Sequence, residues 1–437
     1  MAILITAAGI LILVLLISYC RLHVFLAFLI VTLLLGLVLG LKPEVLMKSV
    51  QDGIGSTLGS IATIIALGAM LGKLVGISGA AQQISIKMMR WFGAKYIRWA
   101  FMLTGFVVGL PLFYSVAFML LVPIAITVAS RNKLPAVYVG LPLLASLSVT
   151  QGYLPPHPAP LFLVKQLNAD MGHTLLYGII ISVPAILISG ALYGSTVKKY
   201  AVEPNLSFTP AELPAEKLPS VFMSMITVLL PVLLIGCSAL IVPFLSAGSF
   251  LRELLLFVGD ATVSLLITVL FAFYSLGILK HHSGRQVGQQ LVNAVKEVAS
   301  LLLIFGGAGA LKQVLTDAGV SQVIAGQLQH SSMNPYIMGW TIAAIIRVCV
   351  GSSTVAGITT AGFVAPVMAT AAINPSLMVL SIGAGSMMFS HVNDTGFWLF
   401  REYFQLSLKD TVKTWSVMDT LVSVTGLLGV LLLSRLI

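Results

Sequence analysis

Four polar stretches interrupt long apolar runs in this chain: Gly109-Leu-Pro-Leu-Phe-Tyr-Ser115, Gln151-Gly-Tyr-Leu-Pro-Pro-His157-Pro-Ala-Pro160, Gly351-Ser-Ser-Thr354 and Ser390-His-Val-Asn-Asp-Thr-Gly396. Unpaired backbone at membrane depth is tolerated only where it lines a cavity or is buried in protein. A helix that restarts after such a break offers free N–H groups and partial positive charge, which suit an anion. Ser115, Ser352, Ser353, Thr354, Asn393 and Thr395 add hydroxyl and amide groups for a carboxylate and a polyol. Phe113, Tyr114 and Pro156 belong to the same breaks and complete the expected binding set. The chemistry implied is recognition of a small organic anion, with no catalytic residue.

Three side chains could change or balance charge there. Four prolines, Pro155, Pro156, Pro158 and Pro160, surround His157, more than a structural kink needs. The histidine is either part of the site or a buried ring bonded to neighbouring backbone. Asp394 is an acid near membrane depth, a functional candidate by default, or else an interfacial helix cap. Asp394 and His157 are the candidate proton carriers, since either side chain exchanges a proton once its surroundings are dry. Arg347, just before the second tip, would neutralise a substrate carboxylate, snorkel, or pair with a buried acid such as Asp317 or Asp394. Lys73 and Lys312 fall at matching places and are expected to pair or to sit at an interface.

The elements that must position these residues follow from composition. Of 437 residues 58% are hydrophobic and only 9% charged, against about 25% charged in soluble domains. Lipid must therefore cover most of the surface. The net charge of +10 sits in short loops, where Lys and Arg set orientation, so it does not point to nucleic acid. Cys20, Cys237 and Cys349 are odd in number and dispersed, which fits small core residues and no disulfide framework. No Walker A, HExxH or paired-cysteine pattern occurs, so neither cofactor nor metal ion is expected. The apolar stretch after Met1 lacks a basic leader and cleavage site, and is expected to be the first spanning helix.

Apolar runs of spanning length begin near Ile3, Val24, Leu58, Leu134, Leu175, Val221, Leu254, Val298, Leu377 and Val417. Arg98 to Ser130 and Tyr336 to Ala372 are too long for one helix and broken in the middle. Each reads as a re-entrant hairpin, or as two ordinary spans with a short loop. Gly68-Ala-Met-Leu71 to Gly79-Ala-Ala-Gln-Gln-Ile84 can be laid on Gly309-Ala-Leu311 to Gly319-Val-Ser-Gln-Val-Ile324, a shift of about 240 residues. The expected organisation is a first membrane repeat over 1–200, a Pro- and Glu-bearing cytoplasmic linker over 201–220, and a second, inverted repeat over 221–437. The fold class is thus an all-α polytopic membrane protein, an inverted-topology repeat with two re-entrant helical hairpins and two broken transmembrane helices. Alternating basic loops put both chain ends outside.

The same breaks carry a family resemblance. Leu110-Pro-Leu-Phe-Tyr-Ser-Val-Ala117, Tyr153-Leu-Pro-Pro-His-Pro-Ala-Pro160, Gly351-Ser-Ser-Thr-Val-Ala356, Ser390-His-Val-Asn-Asp-Thr-Gly-Phe-Trp-Leu-Phe400 and Thr411-Val-Lys-Thr-Trp415 together resemble the gluconate permeases, the gluconate:proton symporter family of the wider ion-transporter superfamily. The resemblance runs over essentially the whole chain. It implies a secondary transporter in the bacterial inner membrane that imports gluconate or a related sugar acid or small hydroxy acid with protons. It also implies a homodimer in lipid, with a scaffold and a moving transport domain. Ser115 stands where many members carry an acid, and Ser353 where a small alanine is frequent. The departure at Ser115 leaves the coupling residue and the exact substrate open. The alternative reading is a sodium-coupled or passive carrier of another small organic anion or amino acid, since sodium sites can be built from backbone carbonyls and Asn or Ser side chains. A membrane-embedded enzyme would need a nucleophile with its base, which His157 with Ser115 or Asp394 could only imitate.

Overall fold

The computed structural model describes residues 2–200, 213–280, 283–320, 334–368, 373–392 and 394–437, and every regular element among them is helical. Asn393 and 201–212 of the expected linker lie outside the described residues.

The first half runs α1 (Ala2–Ser18), α2 (Val24–Val38), α3 (Pro43–Ile77), α4 (Ala80–Phe92), α5 (Ile97–Gly109), α6 (Tyr114–Arg131), α7 (Ala136–Tyr153), α8 (Pro158–Gln166) and α9 (Met171–Lys199). The second runs α10 (Val221–Ile241), α11 (Phe250–Gly259), α12 (Ala261–Gly277), α13 (Gly284–Asp317), α14 (Pro335–Val350), α15 (Ser353–Met368), α16 (Pro375–Gly385), α17 (Thr395–Phe404) and α18 (Leu408–Leu433). Local sequence sets the starts. Asp170, Ser220, Ser249, Asp260, Ser283, Asn334 and Asn374 accept from backbone N–H groups one turn on. Pro43, Pro158, Pro335 and Pro375 occupy first turns, where no donor is needed.

Seven helices among the described residues are long and apolar enough to cross a membrane. Large apolar side chains such as Phe222, Leu240, Phe257, Leu270, Leu428 and Leu432 are exposed on the outside, as a lipid-facing surface requires. Three expected spans differ in detail. The run from Val24 gives a 15-residue helix, and Gly40, at φ +90°, turns the chain before Pro43. The run from Leu377 gives only 11 helical residues, ending where the Ser390 stretch approaches. The run near Leu254 is two helices meeting at 72°, because Asp260 ends α11 and caps α12 by accepting from Thr262 N at 2.8 Å.

The halves repeat one order of elements. A long helix, a pair broken at a tip, a second broken pair and a long final helix occur as α3, α5–α6, α7–α8 and α9, and again as α13, α14–α15, α16–α17 and α18. The two long helices pack against each other antiparallel. Ser49 Oγ donates to Asp317 Oδ2 at 2.6 Å near one end, and Lys73 Nζ meets Glu297 Oε1 at 2.7 Å near the other. Gly53 and Gly309 let the backbones touch between them, since a Cβ on Gly53 would stand 2.5 Å from Gly309 O. The matched helices α7 and α16 cross in the same way, with any Cβ on Gly383 overlapping Gly152 O. That crossing brings the ends of α7 and α16, and hence both breaks, side by side in the core.

Candidate functional site

Each break exposes helix ends that must find partners. At the first tip α5 stops at Gly109 and α6 restarts at Tyr114. The orphan carbonyl of Gly109 accepts from His157 Nε2 at 2.7 Å. His157 is 3% exposed and precedes α8. The histidine therefore ties the second break of this half to its first tip, one of the two readings the sequence left open. At the second tip Gly351 adopts φ +81°, a left-handed turn that favours glycine. Ser352 Oγ then accepts from Val355 N at 3.3 Å and opens α15.

Arg347 closes the second tip. Its Nη1 donates to Gly351 O, and its Nη2 donates to Asp394 Oδ2 at 2.5 Å. Asp394 is a helix cap and the partner of Arg347 at once. Its Oδ1 caps α17 by accepting from Gly396 N at 2.9 Å, while Oδ2 also accepts from Ser390 Oγ. Trp415 Nε1 in turn donates to Ser390 Oγ at 2.8 Å. Asp317, the other proposed partner of Arg347, instead accepts from Ser49 and Gln313 on the α3–α13 pair.

Two adjoining cavities result. The first, about 270 Å³, is lined by Tyr114, Ser115, Ser352, Ser353, Thr354, Asp394, Thr395 and Arg347 of the expected set, and also by Ser148, Gln151, Trp415 and Asp419. The N-termini of α6, α15 and α17 all contribute to its wall. Gln151 Nε2 donates to Ser353 Oγ at 3.0 Å and joins the two halves across it. The second, about 300 Å³, is lined by Phe113 and His157 with Glu297, Val298 and Leu301, and shares Tyr114, Ser115, Gln151 and Thr354 with the first. Pro156 lines neither, and Asn393 is outside the described residues. Lys73 pairs with Glu297, and Lys312 Nζ donates to Gln166 O at 3.3 Å.

The breaks do not point to Asp419. It is 1% exposed on α18, with Oδ2 3.9 Å from Arg347 Nη2 and, among the described residues, no hydrogen-bond partner on Oδ1. Ser148, also 1% exposed, sits close enough to interact with both Tyr114 and Asp419 without completing a hydrogen bond to either. A lone acid in the last apolar run was the signal available for it.

Interrupted apolar helices gathered round a polar, charged cavity suit a multi-pass membrane transport protein, and the family and relatives of the chain are permeases and transporters, not enzymes. The chain belongs to the GntP family of permeases, whose sequence pattern it matches over residues 1–437. It is 42% identical to a high-affinity gluconate transporter of Escherichia coli K12 and 40% identical to the Gnt-II system L-idonate transporter of the same strain, each over the full length of both chains. It is 38% identical to a gluconate permease of Bacillus subtilis 168, again over both full lengths. Among solved structures the YdaH transporter of Alcanivorax borkumensis shares the fold at a TM-score of 0.67 and 15% identity, covering 94% of this chain and 97% of that one. MtrF of Neisseria gonorrhoeae does so at 0.65 and 13%, covering 90% and 85%.

Proposed function

We propose that this permease imports gluconate or a closely related sugar acid across the bacterial inner membrane, together with a proton. The observation that carries the reading is the first cavity, where three helix N-termini, one guanidinium and a ring of hydroxyl and amide groups converge. N–H groups and Arg347 suit a carboxylate, while Ser115, Ser352, Ser353, Thr354, Thr395 and Gln151 suit a row of hydroxyls. Its size, about 270 Å³, lies at the lower edge of ligand pockets, roughly 300–1,000 Å³, and favours a compact solute. The names of the full-length relatives, gluconate and L-idonate transporters, point to the same class. His157 lines the neighbouring cavity, which we read as the continuation of the solute path.

In this reading 1–200 and 221–437 are inverted repeats joined by a cytoplasmic linker over 201–220. The two tips are re-entrant hairpins, Asn393 joins the substrate groups, and the protein works as a homodimer in lipid. The matched element order and the antiparallel α3–α13 pair support the inverted repeat. Purified protein in liposomes should accumulate labelled gluconate or idonate when an inward proton gradient is imposed, and should not respond to a sodium gradient alone. Accumulation driven by sodium, or mere equilibration under either gradient, would replace this reading with the sodium-coupled or the passive carrier.

A further inference from the structure

Asp419 has no part in the anion recognition described above, yet it is an almost fully buried acid in the cavity wall. Its surroundings can be followed element by element. From α14 comes Arg347, at 3.9 Å. From α7 come Ser148 and Tyr153, whose hydroxyl donates to Val422 O on the next turn of α18. From α9 comes Tyr193, which donates to Lys413 O nearer the start of α18. The α16 helix carries no titratable side chain. Asp394, which meets the same Nη2 of Arg347, and Tyr114 of α6 complete the set.

The formal charges decide what an anion meets. Arg347 is the one cation lining this cavity among the described residues, against two carboxylates, Asp394 and Asp419. The cluster therefore carries one surplus negative charge before any substrate enters. A substrate carboxylate would make the surplus two in a poorly solvated wall, unless a proton enters with it. Donors already occupy both oxygens of Asp394: Gly396 N on Oδ1, and Arg347 and Ser390 on Oδ2. Among the described residues Asp419 Oδ1 has no such bond to lose, and the adjacent Ser148 Oγ has no partner either. The Ser148 hydroxyl can serve either form, donating to the ionised carboxylate or accepting from the protonated one, so taking up a proton on Oδ1 strands no polar atom.

We propose that Asp419 carries the coupling proton. Its carboxylate takes a proton from the outer solution as the anion binds, holds it as a neutral acid while the cavity is occupied, and releases it inside after the anion leaves. One proton per monoanionic substrate makes the cycle electroneutral in these groups. The proposal rests on the anion-symport reading above. It assigns Asp394 to holding Arg347 and the start of α17 in place.

Asp419→Asn, a mimic of the protonated state, and Asp394→Asn should be compared with wild type in liposomes, using labelled gluconate. For wild type, KM should rise about tenfold per pH unit on the alkaline side, by linkage of proton and anion. For Asp419→Asn, accumulation driven by a proton gradient should vanish, while counterflow stays within about tenfold of wild type and KM no longer depends on pH. Asp419→Glu should restore part of the accumulation. Asp394→Asn should lose counterflow as well, since the Arg347 pair and the α17 cap are both weakened. Should Asp419→Asn not yield folded protein, wild type in weakly buffered detergent should take up one proton per gluconate bound, and Ser148→Ala should shift the pH range of that uptake. Wild-type accumulation by Asp419→Asn, a pH dependence that disappears with Asp394 instead, or gluconate binding without proton uptake would overturn the assignment. Failure of the wild-type protein to transport any sugar acid would instead overturn the proposed function.

Discussion

Arg347→Lys separates two tasks that one side chain performs. Nη1 holds Gly351 O at the turn ending α14, and Nη2 pairs with Asp394 at 2.5 Å. Lysine keeps the charge but is a point donor without the planar fork, so the Asp394 pair survives and the Gly351 bond is lost. A hydrogen bond from a charged group contributes about 1.5–3 kcal/mol, which corresponds to about 10–150-fold in an equilibrium. The turn at Gly351 sets where the N–H groups of α15 point, so KM for gluconate should rise by that factor while kcat changes less. Arg347→Gln goes further and leaves Asp394 and Asp419 facing each other without a cation. Removing one partner of a buried pair costs about 3–5 kcal/mol, so this variant should unfold at lower temperature in detergent and lose uptake. Initial rates over a gluconate series in liposomes, beside thermal unfolding of the same preparations, measure both effects. A Lys variant with KM within twofold of wild type would show that the turn need not be fixed by Arg347, and the tip argument would fail.

Cysteines placed at Ser115 and at Ser353 should both be protected from thiol reagents by saturating gluconate, since both residues line the first cavity; equal labelling with and without substrate would count against a shared site. Gly383→Ala should cost about 1–3 kcal/mol of stability through overpacking, because its Cβ overlaps Gly152 O, whereas Gly59→Ala, which has nothing within 4 Å, should be neutral or slightly stabilising. Thermal unfolding of the two variants decides between a crossing fixed by close backbone contact and one that can slide. A single cysteine at Glu216 should label only from the cytoplasmic side, and labelling from outside would invert the topology.

The sequence announced the breaks more clearly than it announced the charges. Gly, Pro and hydroxyl residues inside apolar runs are conspicuous, and helices do restart at Tyr114, Pro158, Ser353 and Thr395, inside the four polar stretches. What closes each break was hidden, because partners lie far apart in sequence. The choice of Asp394 over Asp317 for Arg347 depends on α13 pairing with α3, which holds Asp317 against Ser49 instead. Asp419 was overlooked because α18 has no break to draw attention to it. The split into two adjoining cavities depends on where Gln151 and Thr354 sit after α7 and α16 cross, and no local pattern encodes that. The α11–α12 bend was legible in principle, since Gly259 followed by Asp260 is a helix stop and a cap.

The two halves are alike in element order and unequal in charge. Helices α5 to α9 contain no acid, and Asp170 stands only in the connection before α9. All three ionic groups of the first cavity, Arg347, Asp394 and Asp419, come from the second half. The first half brings Tyr114, Ser115, Ser148 and Gln151 to the same wall, which are neutral hydrogen-bonding groups. Symmetric halves can position two tips and two broken helices around one point, because each crossing needs only small residues such as Gly53 with Gly309 and Gly152 with Gly383. Symmetric charge would defeat the site, since a second Arg–Asp–Asp cluster would double the surplus negative charge facing an anion. Division of labour resolves this: one half fixes the electrostatics, and the other supplies neutral donors and acceptors, which under the proposed function would read the hydroxyls of the solute without changing the charge count.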